Sequence, residues 1–182
     1  MIAALLLSVS AQAVPPPIEQ FTANCRAPVY ATDQLVCGDR DLRVLDAAIA
    51  VATYTLGRAP VAGIAPWLEP QADWFKRRSR CAFEAAHREC ATDAYDERML
   101  VLSALSPAGR PSMPAYRCGA VLATPVPAGA LRLERKGKPV GAAVRQSPRS
   151  GWQPYIRLEG DEAEPSIVPS GGKPIRCVRV KD

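Results

Sequence analysis

Six cysteines carry the most legible chemistry in this chain: Cys25, Cys37, Cys81, Cys90, Cys118 and Cys177. They fall into three segments, their number is even, and none shows the CxxC spacing of a metal or redox site. That pattern predicts disulfides formed in an oxidising compartment and leaves no reactive thiol. Six cysteines can connect in many ways, and spacing alone does not choose. Nearest-neighbour pairing would give each segment its own staple.

Other residue groups that could do chemistry lack partners. His87 is the single histidine and lies between Cys81 and Cys90, with no acid–base partner evident nearby in sequence. Ser170-Gly171-Gly172-Lys173 matches an SxxK pattern, but in a short turn without the companion motifs of the enzymes that use it. Asp161, Glu162 and Glu164 read as an exposed acidic turn, not an EF-hand. No P-loop or dinucleotide fingerprint occurs. The basic run Lys76-Arg77-Arg78-Ser79-Arg80 reads as a solvated face, and export argues against nucleic acid. The expectation is a non-enzyme with no cofactor and no metal.

Export is read from residues 1–13. An apolar run ends in Ala11-Gln12-Ala13, the small-x-small pattern of signal peptidase, and Val14-Pro15-Pro16-Pro17 follows. The run is too short to span a bilayer, so no transmembrane segment is expected. Basic residues ahead of it are missing, so a start upstream is expected. No cysteine lies at the cleavage point, so the expected location is periplasmic or secreted, without a lipid anchor.

Charge divides the chain. Through residue 106 there are 10 Lys and Arg against 12 Asp and Glu, a net −2; from 107 onward there are 13 against 6, a net +7. Two modules follow from that asymmetry, 21–105 and 115–182, joined by the proline-rich stretch 106–114.

The first module carries helical periodicity. Asp39 is placed to cap a helix that runs through Leu56 and stops at Gly57, with Leu42, Leu45, Ile49, Ala52 and Leu56 as its apolar stripe. A second helix is expected from Pro66, with Trp67, Gln71, Trp74, Arg78 and Cys81 on one face. A third is expected after Thr92, with Asp93 and Asp96 in its first turn facing the helix dipole. Staples 25–37 and 81–90 would each add roughly 3 kcal/mol by restricting the unfolded chain, a useful amount for so small a core. The face Gln71–Trp74–Arg78 is either packed against neighbours or a Trp/Arg partner-binding patch.

The residues Phe21-Thr22-Ala23-Asn24-Cys25, Asp33-Gln34-Leu35-Val36-Cys37, Asp41, Leu42, Leu45, Asp46 and Tyr54 resemble the N-terminal domain of LprI-type lysozyme inhibitors. Gln71, Trp74, Arg78, Cys81, Cys90, Tyr95, Arg98 and Leu102 continue the likeness, over about residues 21–105. Asp33 departs from it, standing where the family usually has Glu. The resemblance implies a bacterial envelope protein and, in some members, inhibition of host lysozyme.

From Tyr116 the pattern changes to period two. Tyr116–Cys118, Ala130–Glu134, Pro139–Val144, Tyr155–Leu158, Pro165–Val168 and Ile175–Val180 read as strands separated by Gly turns. The fold class expected is therefore α+β: a stapled helical domain of about three helices, then a small antiparallel β-barrel or sandwich of five or six strands. Cys118 and Cys177 would tie its first strand to its last.

This half resembles, more distantly, the MliC family of c-type lysozyme inhibitors, through Tyr116-x-Cys118, Ser150-Gly151, Tyr155, Gly160-Asp161-Glu162-Ala163 and Cys177. The resemblance implies a loop that enters the lysozyme cleft and points to Ser150, Gly151, Tyr155 and Arg157 as partner-binding residues. Glu159 stands where that family has Lys, the nearby Trp is absent, and Arg157 is the substitute cation. The partner implied is a c-type lysozyme. The alternative is a binding module for anionic lipopolysaccharide or peptidoglycan, which the +7 half favours.

Overall fold

The computed structural model describes residues 22–57, 67–106 and 116–180. The export segment 1–13, Phe21, Pro66 and all but Ser106 of the expected linker lie outside the described residues.

Among the described residues, four α-helices come first: α1 (Ala31–Gly38), α2 (Arg40–Gly57), α3 (Gln71–Ser79) and α4 (His87–Leu105), with a 3-10 turn at Arg80–Phe83 between the last two. Asp39 caps α2 as its type predicts: its Oδ1 accepts the N–H groups of Asp41 at 2.9 Å and Leu42 at 3.1 Å. The Arg88 guanidinium beside it, and then the Leu42 N–H, hold the Asp39 carboxyl below the usual carboxylate range. Helix α1 has no counterpart in the periodicity reading. Asp33 secures its start by accepting the Tyr30 N–H at 3.2 Å.

Two helix starts differ from expectation. Helix α3 begins at Gln71, after Pro70, and the Trp74 N–H returns to the Pro70 carbonyl. Trp67 therefore precedes the helix, leaves the expected Trp67–Gln71–Trp74 face, and packs into the core of the β half. Helix α4 begins at His87 instead of after Thr92, because the Cys81–Cys90 disulfide ties its first turn to the preceding 3-10 turn. Asp93 and Asp96 then sit in its interior, where the N-terminal dipole no longer accounts for them.

Seven strands follow among the described residues: β1 (Tyr116–Cys118), β2 (Val121–Val126), β3 (Ala130–Arg135), β4 (Lys138–Ala143), β5 (Ile156–Glu159), β6 (Ser166–Pro169) and β7 (Ile175–Arg179). Their order is β4-β3-β2-β1-β7-β6-β5, all pairs antiparallel. The ring is nearly closed where Val144 donates its N–H to the Ile156 carbonyl and accepts the Leu158 N–H, each at 2.9 Å. The fold is α+β, a disulfide-stapled helical part followed by a small antiparallel barrel.

The disulfides join Cys25 to Cys37, Cys81 to Cys90 and Cys118 to Cys177. Cys118 and Cys177 are direct cross-strand partners on β1 and β7. Leu133, Ile156, Ile167, Val121 and Val140 fill the barrel interior. Val36, Leu42, Ile49, Trp74, Phe75 and Tyr95 form the helical core.

Helix α4 serves both halves. Ala91, Ala94, Tyr95 and Leu102 join the helical core, while Val101, Ala104 and Leu105 pack with Ala130, Ala142 and Val144 of the barrel. A second seam runs from Trp67 to β4. A Cβ on Gly141 would lie 2.1 Å from the Trp67 carbonyl oxygen, so only glycine allows that approach. Among the described residues, no helix is long and apolar enough to cross a membrane.

Candidate functional site

Gln71, Trp74 and Arg78 lie together on α3, but inside the protein. Trp74 and Arg78 are fully buried and Gln71 nearly so. Arg78 donates to Tyr95 Oη at 2.5 Å and to Asp33 Oδ1, and its guanidinium stacks on the Phe75 ring at 4.0 Å. Tyr95 passes the network on by donating to Asp46 at 2.7 Å. Burial pushes both the Tyr95 hydroxyl and the Asp46 carboxyl above their usual values. Gln71 Oε1 accepts from Arg98 Nε at 2.8 Å, and burial lowers the Arg98 guanidinium to about 10. In the free chain this face therefore offers no surface to a partner. It orders the helical core.

Ser150, Gly151 and Tyr155 lie in the loop between β4 and β5, and Arg157 lies on β5. The loop does not project freely. It lies along α4, where Asp93, Asp96 and Glu97 line one face. Ser150 Oγ donates to Asp93 Oδ2 at 2.7 Å. Arg149 pairs with Asp93 and, at 2.9 Å, with Asp96, and those two carboxylates, Asp96 first, raise its guanidinium further. The Trp152 indole N–H donates to Glu97 at 2.8 Å and the Tyr155 backbone N–H donates to the same carboxylate at 2.6 Å. Arg77, on α3, stacks over the Trp152 ring at 4.1 Å and donates to the Gln153 carbonyl at 2.6 Å.

Trp152 is consequently counted into the helical core, although it belongs to the β half by sequence. Burial pushes the Glu97 carboxyl above its usual range, opposed by Arg77 and the Tyr155 N–H. Arg77 bridges Glu97 and Glu69. Although burial works against its charge, those two carboxylates hold its guanidinium above the ordinary value.

Gly151 and Gln153 remain at the surface of this loop. A Cβ on Gly151 would come within 2.7 Å of the Glu84 carboxylate, so the loop and the Cys81–Cys90 segment touch across Gly151. Between them runs a groove of about 300 Å³, bordered by Arg80, Glu84, Gln153, Tyr155 and Ser170. Arg157 is half-buried. It pairs with Glu159 at 2.7 Å and donates to the Gln153 side chain at 3.1 Å. Glu159 thus neutralises the substitute cation.

His87 is held at the start of α4 by Thr32, 3.1 Å from Oγ1 to Nε2, and burial lowers its pKa. In the sequence reading Asp93 and Asp96 have only a first-turn dipole role and Glu97 has none, yet a signal for the cluster exists. Asp93 and Glu97 are like charges at i and i+4, which destabilise a lone helix and call for a cation from elsewhere. Arg149 and Arg77 are those cations.

With this geometry established, comparison with known proteins gives one set of relatives. The chain is 34% identical over 124 residues to Lipoprotein LprI of Mycobacterium bovis and of two strains of Mycobacterium tuberculosis. The aligned stretch covers 65% of this chain and 61% of each relative, so the match spans about three fifths of the relatives' length. No family model matches, and no solved structure matches significantly. The chain is thus similar, at moderate identity and over most of its length, to LprI lipoproteins of mycobacteria.

Proposed function

We propose that this protein is a non-enzymatic component of the bacterial envelope that binds and blocks a c-type lysozyme. The similarity to Lipoprotein LprI supports an envelope role of that family type, and residues 21–105 carry the inhibitor-like motifs. The observation that carries the reading is the clasped loop: Arg149–Tyr155 is held by three carboxylates of α4 and by Arg77. A steric plug needs no catalytic group. It needs a rigid edge, because ordering a mobile loop on binding would cost affinity.

In this reading Gly151, Gln153 and Arg157 face the partner, while Ser150 and the Tyr155 backbone support the loop from within. The division into a helical domain (21–105), a linker (106–114) and a β domain (115–182) belongs to the same proposal, as does removal of residues 1–13. The helical domain acts as the platform and the β domain supplies the loop. A turbidity assay of lysozyme on cell walls, with and without the pure protein, tests it. Slowed clearing supports the reading, and unchanged clearing at protein in large molar excess rejects it.

One observation favours a second reading, binding of anionic envelope polymers. Arg117, Arg135, Lys136, Lys138, Arg176 and Arg179 are all exposed on the β half. Sedimentation with purified peptidoglycan or lipopolysaccharide, abolished by moderate salt, would select it over the first.

A further inference from the structure

Phe83 is 90% exposed. By contrast Trp67, Trp74, Phe75, Tyr95, Tyr116 and Trp152 are buried. A phenylalanine held this far into water forgoes the burial that other rings of the chain obtain.

Its position is fixed. Phe83 closes the 3-10 turn Arg80–Phe83, in which side chains at i and i+3 eclipse, so Arg80 and Phe83 share one edge. Cys81 inside the turn is bonded to Cys90 on α4. The Glu84 N–H closes the turn on the Cys81 carbonyl at 3.0 Å, and Thr32 Oγ1 donates to the Ser79 carbonyl at 3.1 Å. Arg80 is exposed too, and it borders the groove beneath the clasped loop.

The basic run on α3 is otherwise engaged. Arg77 and Arg78 are bound by internal carboxylates, and Lys76 lies 3.9 Å from Asp73. Among the described residues, no carboxylate is within ion-pair distance of Arg80. An exposed aromatic one 3-10 turn from an uncommitted guanidinium, itself at the border of the groove, is the composition of a binding anchor. Phenylalanine has only two side-chain torsions to immobilise, so little entropy is lost when it docks.

We propose that Arg80 and Phe83 are the helical half's anchor on the lysozyme, an inference that rests on the reading in the preceding subsection. A glycan-cleaving cleft offers the complementary chemistry: a pair of carboxylates flanking the scissile bond and apolar lining where sugar rings sit. Phe83 occupies one such sugar-ring position and Arg80 pairs with a carboxylate. The loop around Gly151 meets the partner from the other side of the groove. The contact surface is therefore composite, drawn from both halves of the chain.

The test compares wild type, Phe83→Ala and Arg80→Ala in the full disulfide-bonded chain, by melting temperature and by inhibition constant against a c-type lysozyme. Both side chains are exposed, so melting temperatures should stay unchanged. Inhibition should weaken tenfold or more for Phe83→Ala and severalfold for Arg80→Ala, and an N-acetylglucosamine trimer should compete with wild type. If wild type inhibits and the folded Phe83→Ala variant inhibits equally well, the anchor is wrong while the loop contact stands. If wild type itself does not inhibit, the lysozyme reading and the anchor fall together.

Discussion

The Trp152 indole donates its N–H to the Glu97 carboxylate at 2.8 Å, a bond that carries a residue of the β half into the core of the helical half. Glu97 is 4% exposed, and burial raises its pKa. A raised carboxyl binds its proton more tightly in the folded state than in the unfolded chain. Its contribution to stability is therefore fully present below the ordinary carboxyl value of 4.5 and is lost as pH rises through the raised value. Glu97→Gln removes that titration. The stability of wild type minus that of the variant should fall as pH rises from about 4.5 toward neutrality. Urea unfolding at several pH values measures it, and a difference that is flat or rising contradicts the assignment.

Asp33 and Arg78 form an ion pair with both side chains fully buried. Asp33→Ala leaves the guanidinium buried with less than its charge partner set and should cost about 3–5 kcal/mol. Replacing both residues by apolar ones of similar volume should recover much of that loss. Urea midpoints of the single and double variants decide it; a single-variant loss under about 1 kcal/mol would show that Tyr95 and Asp46 suffice.

Trp74 packs edge-on against Tyr95, with ring centroids 5.6 Å apart, at the centre of the helical core. Trp74→Ala should therefore destabilise the protein by about 3–5 kcal/mol. An unchanged melting curve would return the Gln71–Trp74–Arg78 face to consideration as a partner-binding patch.

Gly141 is where β4 meets the Trp67 backbone. Gly141→Ala must displace the Trp67 carbonyl, an overpacking that should cost about 1–3 kcal/mol. Gly38→Ala, with no atom within 4 Å of the added Cβ, is the matched control and should be near neutral. Equal melting temperatures for the two variants would show that the 67–70 segment yields freely.

Local chemistry is what the sequence determined by itself. Asp39 marks the start of α2 because a cap acts within one turn of the backbone. Short apolar runs bounded by turn residues located six of the seven strands among the described residues; burial alternates along β1 and β5, as in a half-buried strand, but not along β3 or β4. Strand β2 escaped because it contains Pro125, which argues against a strand inside a sheet. The start of α3 moved from Pro66 to Gln71 because Pro66 and Pro70 both suit a helix entrance.

Tertiary structure alone decided the rest. Ser150 and Asp93 are 57 residues apart in sequence, and Trp152 and Glu97 are 55 apart, so no spacing rule could pair them. Charge composition divides the chain into an acidic and a basic half, yet those opposite charges meet along α4, where Arg149 finds Asp93 and Asp96. Arg78 is the sharpest case. Its place on a helical face was legible, but whether that face looked outward depended on Asp33, Asp46 and Tyr95 arriving from three other points in the chain to bind the buried charge. A periodic pattern states which residues share a side; only the packing of the other elements determines what that side faces.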